Sequence, residues 1–217
     1  VKIGASGAMT GAIGWISEDD GAGQAGADTR SMAVQLDSEI RFRGATTLDN
    51  GTEWGVKIEV TTDNAGLSID EHMMYVENED SWGRIEIGDE DDASDQFRQL
   101  GPFVIGSAIT GCSTFSGVTN GTGKLPFVCI GFGGDNTKIT YRGPKIAGIQ
   151  WGVSYIPSMA SFTTLGNASR SANDAGEQEN VLALGANWSG TAGEASIAVG
   201  GGWVSAPAES AGERDEN

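Results

Sequence analysis

The densest chemistry in the sequence is an acidic run, Asp89, Glu90, Asp91, Asp92 and Asp95. Carboxylates this close are most often a solvated charge cluster. They can also form the negative side of an ion path. Their hard oxygens suit Ca²⁺, for which Glu90, Asp91, Asp92 and Asp95 are the candidate ligands although no EF-hand spacing is present. The opposing chemistry is basic. Arg41, Arg43, Arg84, Lys57, Lys138 and Arg142 stand on alternating runs, where each alone reads as a surface charge and together they read as one positive wall. The two cysteines, Cys112 and Cys129, are separated by sixteen residues and lack the paired spacing a zinc site needs. A disulfide between them is expected, and closing that loop stabilises a fold by about 3 kcal/mol.

Catalysis finds no footing. His72 is the only histidine, and neither G-x-S-x-G nor H-E-x-x-H accompanies it. Gly121-Thr122-Gly123-Lys124 has the look of a phosphate loop, but Val118 stands where its first glycine belongs and Leu125 where Ser or Thr belongs. Asn-x-Ser/Thr triplets at Asn50, Asn120, Asn167 and Asn187 occur at chance frequency. No cofactor is expected, with Ca²⁺ at those carboxylates the one candidate structural ion.

The charged residues sit on short runs of period two, the signature of β-strands. In the clearest, Val34, Leu36, Ile40 and Phe42 share one face with Ser38 and Gly44, and Gln35, Asp37, Glu39, Arg41 and Arg43 take the other. After the turn signal Asp49-Asn50-Gly51, Trp54, Val56, Ile58 and Val60 oppose Gly55, Lys57, Glu59 and Thr61. The same reading places strands at about 1–17, 71–77, 83–89, 138–142, 149–156, 181–188 and 194–205, roughly nine in all. The run 71–77 has no cleanly apolar face. Connections alternate between short (46–52, 78–82, 143–148, 189–193) and long (18–30, 62–70, 90–137, 157–179). One end of such a sheet has tight turns, the other long acidic loops. The stretch 90–137 is the longest, and its middle, 100–109, is apolar enough to lie against a wall.

Composition narrows the class. Among 217 residues, 34 glycines disfavour a helical bundle. Thirty acidic against thirteen basic residues give a net charge of -17, which excludes nucleic acid as a partner. No apolar stretch is long enough for a membrane helix, and no basic-then-apolar signal opens the chain, as expected of a processed, exported protein. A transmembrane β-barrel escapes the first test, because its strands never give a hydropathy peak.

Two architectures accommodate two-faced strands: a secreted β-sandwich binding carbohydrate or calcium through its acidic loops, and a membrane barrel with its apolar face outward. Tryptophans at strand ends (Trp15, Trp54, Trp82, Trp188 and Trp203), bases gathered on the polar face of an acidic chain, and the asymmetry of the connections favour the barrel.

Three segments, SEIRFRGATTLDNGTEWGVKIEV (38–60), YVENEDSWGRIEIGDEDDASDQ (75–96) and DNTKITYRGPKIAGIQWGVSYIPS (135–158), in this order and with a long loop before the third, resemble the general diffusion porins of the bacterial outer membrane, of alphaproteobacterial type. The resemblance implies an all-β, antiparallel, up-and-down transmembrane barrel of about sixteen strands. It also implies a homotrimer in contact with outer-membrane lipid and lipopolysaccharide, and passive passage of small hydrophilic solutes. On this pattern 90–137 folds inward as the constriction loop, and Arg41, Arg43 and Lys57 form the basic wall. Sixteen strands need roughly 385 residues, so residues 1–217 are expected to be the N-terminal part of an incomplete barrel.

Overall fold

The computed structural model describes residues 1–15, 32–61, 66–99, 134–159 and 178–207. The disulfide expected between Cys112 and Cys129, the apolar stretch 100–109 and the loop 18–30 lie outside the described residues.

Nine strands form one antiparallel sheet in chain order: β1 Lys2–Trp15, β2 Met32–Thr47, β3 Glu53–Thr61, β4 Ser68–Asn78, β5 Gly83–Asp89, β6 Thr137–Arg142, β7 Ile149–Ser158, β8 Glu179–Ala192 and β9 Ala195–Ser205. The nine expected strands are all present. β2 and β8 run several residues beyond the expected ends, because alternation fades near a turn while backbone pairing continues. The β2–β3 turn is closed by Gly51, whose N–H donates to Leu48 O at φ +81°, a backbone region glycine enters without strain.

The phase of β4 is unclear in sequence because apolar and polar side chains occur on both of its faces, and the strand also carries an irregularity near its start. Ile58 pairs with His72 but Val60 pairs with Ile69, so three steps on β4 oppose two on β3. This bulge flips the alternation partway along β4. Beyond it, Glu71, Met73, Tyr75 and Glu77 share the face of Lys57 and Gly55, while His72, Met74 and Val76 share that of Ile58 and Trp54.

Burial runs opposite to that of a water-soluble sheet. On β3, Trp54 is 52% exposed, whereas Lys57 is 8% and Glu59 2% exposed. Val34, Leu36, Phe42, Ile87, Ile139, Leu184, Val199 and Trp203 are exposed as well, while Glu86, Lys138, Thr140 and Ser154 are buried. Leaving one large apolar side chain in water forgoes about 1.5–3 kcal/mol, and more than a dozen are exposed here. The buried apolar core is correspondingly small: Ile156, Val181 and Ala206, with Met159 and Val204 against them. Among the described residues no second sheet covers the apolar face, so nothing in the fold favours a sandwich. Among the described residues no helix is long and apolar enough to cross a membrane, which says nothing of a barrel.

Candidate functional site: a charged inner wall and the root of the long loop

The polar face of β2–β6 brings the expected bases together, and Arg41, Lys57, Arg84 and Arg142 each stand beside an acid that alternation placed on the same face. Across the β2–β3 register Arg41 faces Glu59, with Nε 2.9 Å from Oε1, and it also pairs with Glu39. Lys57 holds three carboxylates: Glu59 at 3.0 Å, Glu71 at 2.8 Å, and Glu90 from the root of the long loop. Arg84 lies 3.8 Å over the Tyr75 ring and meets Glu86 at 2.5 Å and Glu77 at 3.0 Å. The Tyr75 hydroxyl donates to Glu53 at 2.9 Å. Arg142 shares Glu86 at 3.4 Å. The expected purely basic wall is therefore a lattice of alternating charge. Glu39, Glu59, Glu71, Glu77 and Glu86 were the missed half, and the signal that finds them is the one that found the bases: position parity along each strand.

The acidic run divides by role. Asp89 ends β5 and accepts from the Thr137 hydroxyl at 2.5 Å, with His72 Nδ1 at 3.3 Å. Glu90 carries a side chain to Lys57 and a carbonyl to Lys138. Lys138 also donates to Gly134 O at 2.7 Å, so one ammonium grips the start and the end of the long connection. Asp92, 1% exposed, caps a single-turn helix, α1 (Ala93–Gln96), by accepting from Ser94 N at 2.7 Å and Asp95 N at 3.2 Å. Asp95 pairs with Arg98.

Helix α1 and Phe97 lie against the inner faces of β7, β8 and β9. The Ala93 N–H donates to Ser154 Oγ at 2.8 Å. The approach is close because the wall has glycines there: a Cβ on Gly185 would fall 1.8 Å from Ala93 O, and one on Gly152 2.6 Å from the Phe97 ring.

Of the four candidate calcium ligands only Asp91 joins a carboxylate cluster, with Glu71 and Asp135, whose ligand oxygens all lie within 4.8 Å of one another. Burial and the neighbouring Asp95 push the Asp91 carboxyl up to about 6. Burial, with Asp91 and Asp70 nearby, does the same for Asp135, to about 6. Such groups take up protons on folding, so the stability they contribute is complete below the ordinary carboxylate range and is lost as pH rises through about 6. In chelator, Asp91→Asn with Asp135→Asn should raise the thermal midpoint at pH 8 and leave it nearly unchanged at pH 4. Equal shifts at both pH values would show that these carboxyls are not repelling one another.

No curated protein sequence matches the chain. Among solved structures, a double mutant of Rhodopseudomonas blastica porin is similar at a TM-score of 0.55 and 16% identity, over 94% of this chain and 63% of that one. A triple mutant of the same porin gives 0.54 and 16% over the same shares. The chain thus spans 63% of the length of the porin structures it matches, and the likeness establishes a shared β-barrel fold. The Gram-negative porin model matches residues 5–216, and on that match the chain belongs to the Gram-negative porin family.

Proposed function

We propose that this chain builds the wall and part of the constriction of a water-filled pore in the bacterial outer membrane, passing small hydrophilic solutes and ions without reaction. The inverted burial carries the reading: apolar side chains face outward to lipid, and ion-paired charges line an interior path. Residues 90–137 act as the inward-folded constriction loop, a role supported by the seating of α1 on the inner faces of β7–β9. β1 and β9 each pair with one neighbour among the described residues. An unpaired strand edge in lipid leaves each backbone group several kcal/mol out of balance, so further strands complete the barrel, and three barrels associate beside lipopolysaccharide. Added to a planar bilayer from detergent, the protein should give stepwise conductance with a cation preference that weakens as salt shortens the Debye length. A protein that is monodisperse without detergent and gives no conductance would overturn the pore.

Two local features belong to the same reading. A structural Ca²⁺ sits at Glu71, Asp91 and Asp135, supported by their convergence and by hard oxygen donors. Terbium luminescence should show binding at pH 8 that Asp91→Asn with Asp135→Asn removes; no signal with the unaltered protein ends that assignment. Cys112 and Cys129 form a disulfide within the loop, so thiol titration of the denatured, unreduced protein should find no free thiol.

A further inference from the structure

The wall of the site contains a recess of about 350 Å³, bordered by four cations, Arg43, Lys57, Arg84 and Arg142, and by two carboxylates, Glu86 and Glu90. That is the lower end of the size of small-molecule sites. Neither carboxylate is free. Glu86, 3% exposed, answers Arg84, Arg142 and the Gln96 amide nitrogen, and Glu90 answers Lys57. The Gln96 amide oxygen is enclosed and offers the recess no acceptor. A cation entering here would meet positive charge and no open oxygen to hold it.

The donors are in the opposite state. Lys57 is held by three carboxylates and Arg84 by Glu77 and Glu86. Of the six bases on the inner wall, Arg43 alone has no ion pair or hydrogen bond among the described residues; it is exposed, and its cross-strand neighbour is another cation, Lys57. Arg142 is the second open group. It directs one guanidinium nitrogen to Glu86 over a long 3.4 Å, its other donors have no partner among the described residues, and its side chain is 31% exposed. One guanidinium on β2 and one on β6 thus border the same recess with donors to offer. Each such fork matches a carboxylate through two parallel N–H bonds.

We propose that this recess is a docking site for small dicarboxylates, with one carboxylate received by Arg43 and the other by Arg142. A monocarboxylate fills one fork and leaves the other open. A compact dianion such as sulfate carries the charge without the spacing between two separate forks. The net charge of -17 repels anions at a distance, so the site acts at contact range and not by steering. The inference rests on the pore reading and adds to it a saturable step, where free diffusion alone gives a linear one.

The test is single-channel current through the full protein in planar bilayers at pH 8 and constant ionic strength, with sodium succinate as probe and glycerol as viscosity control. Succinate should reduce the current along a saturating curve that glycerol does not show. Arg43→Gln should raise the half-blocking concentration about tenfold, Arg142→Gln should raise it too, and Arg41→Gln, outside the recess, should leave it unchanged. Arg43→Lys, which keeps the charge and loses the fork, should recover only part of the affinity. Channels that open normally but show the same linear reduction with succinate as with glycerol would overturn the docking site and leave the pore intact. Equal block by sodium acetate or sodium sulfate would overturn the dicarboxylate assignment, and an equal effect of Arg41→Gln would overturn that of Arg43. Absence of channels would overturn the pore reading and this proposal with it.

Discussion

Lys57→Met should lower the unfolding temperature of the folded protein by many degrees, read as the heat-induced mobility shift in detergent gels. Lys57 is buried and answers Glu59, Glu71 and Glu90 at once. Removing the cation while keeping three carboxylates leaves like charges confined together, and breaking a buried ion pair from one side costs about 3–5 kcal/mol. Because Glu90 is the first residue of the long connection, the substitution should also release the root of the loop and change the open-channel conductance. Lys57→Met with Glu71→Gln and Glu90→Gln should recover most of the loss by removing the unanswered charge. An unfolding temperature within a degree of the unaltered protein for Lys57→Met alone would show that the cluster is solvated rather than confined. Arg43→Gln, which breaks no pair among the described residues, serves as the control and should leave that temperature unchanged.

Gly185→Ala should displace α1. The added methyl would sit 1.8 Å from Ala93 O and 2.6 Å from its carbonyl carbon, both backbone atoms that cannot swing aside as a side chain tip would. The helix has to move by more than 1 Å, since a comfortable contact needs about 3.5 Å, and its bond from Ala93 N to Ser154 cannot persist unchanged. Overpacking of this kind costs about 1–3 kcal/mol. The expected readout is a changed single-channel conductance together with a lower unfolding temperature. Gly201→Ala, on the neighbouring strand with nothing within 4 Å of its added carbon, should change neither. Identical conductance for Gly185→Ala and the unaltered protein would mean that α1 does not border the ion path.

What could be read in the sequence followed from how each signal is encoded. Period-two alternation is a property of one strand, so all nine strands were legible, and with them the shared face of Arg41, Arg43 and Lys57. The bulge opposite Ile58 and Val60 depends on two strands at once and leaves no mark in either alone, whereas the unclear faces of 71–77 come from Met73 and Tyr75 sharing a side with Glu71 and Glu77 while His72 joins Met74 and Val76. Attention to the bases hid the acids: Glu59 and Glu86 stand on the same parity as Lys57 and Arg84, and only the register shows that they neutralise them. The acidic run looked like one cluster because its residues are adjacent in the chain. In the fold a strand end, a salt-bridge partner, a helix cap and an Arg98 partner separate Asp89, Glu90, Asp92 and Asp95. Helix α1 is too short for any periodic signal, and its one local mark is Asp92, a helix-capping residue type ahead of Ala93–Gln96.

The double grip of Lys138 on Glu90 and Gly134 has a consequence for how such a protein can vary. Because both ends of the long excursion meet at one side chain on β6, the sheet experiences the same two anchor points whatever number of residues lies between them. The closure entropy of a connection with fixed ends grows slowly with its length, about 0.6 kcal/mol for each doubling. Insertions and deletions between residues 100 and 133 are therefore decoupled from the strand registers. Under the constriction role proposed for residues 90–137, descendants of this gene can resize the aperture by altering one stretch of coding sequence, without renegotiating the pairing of any strand.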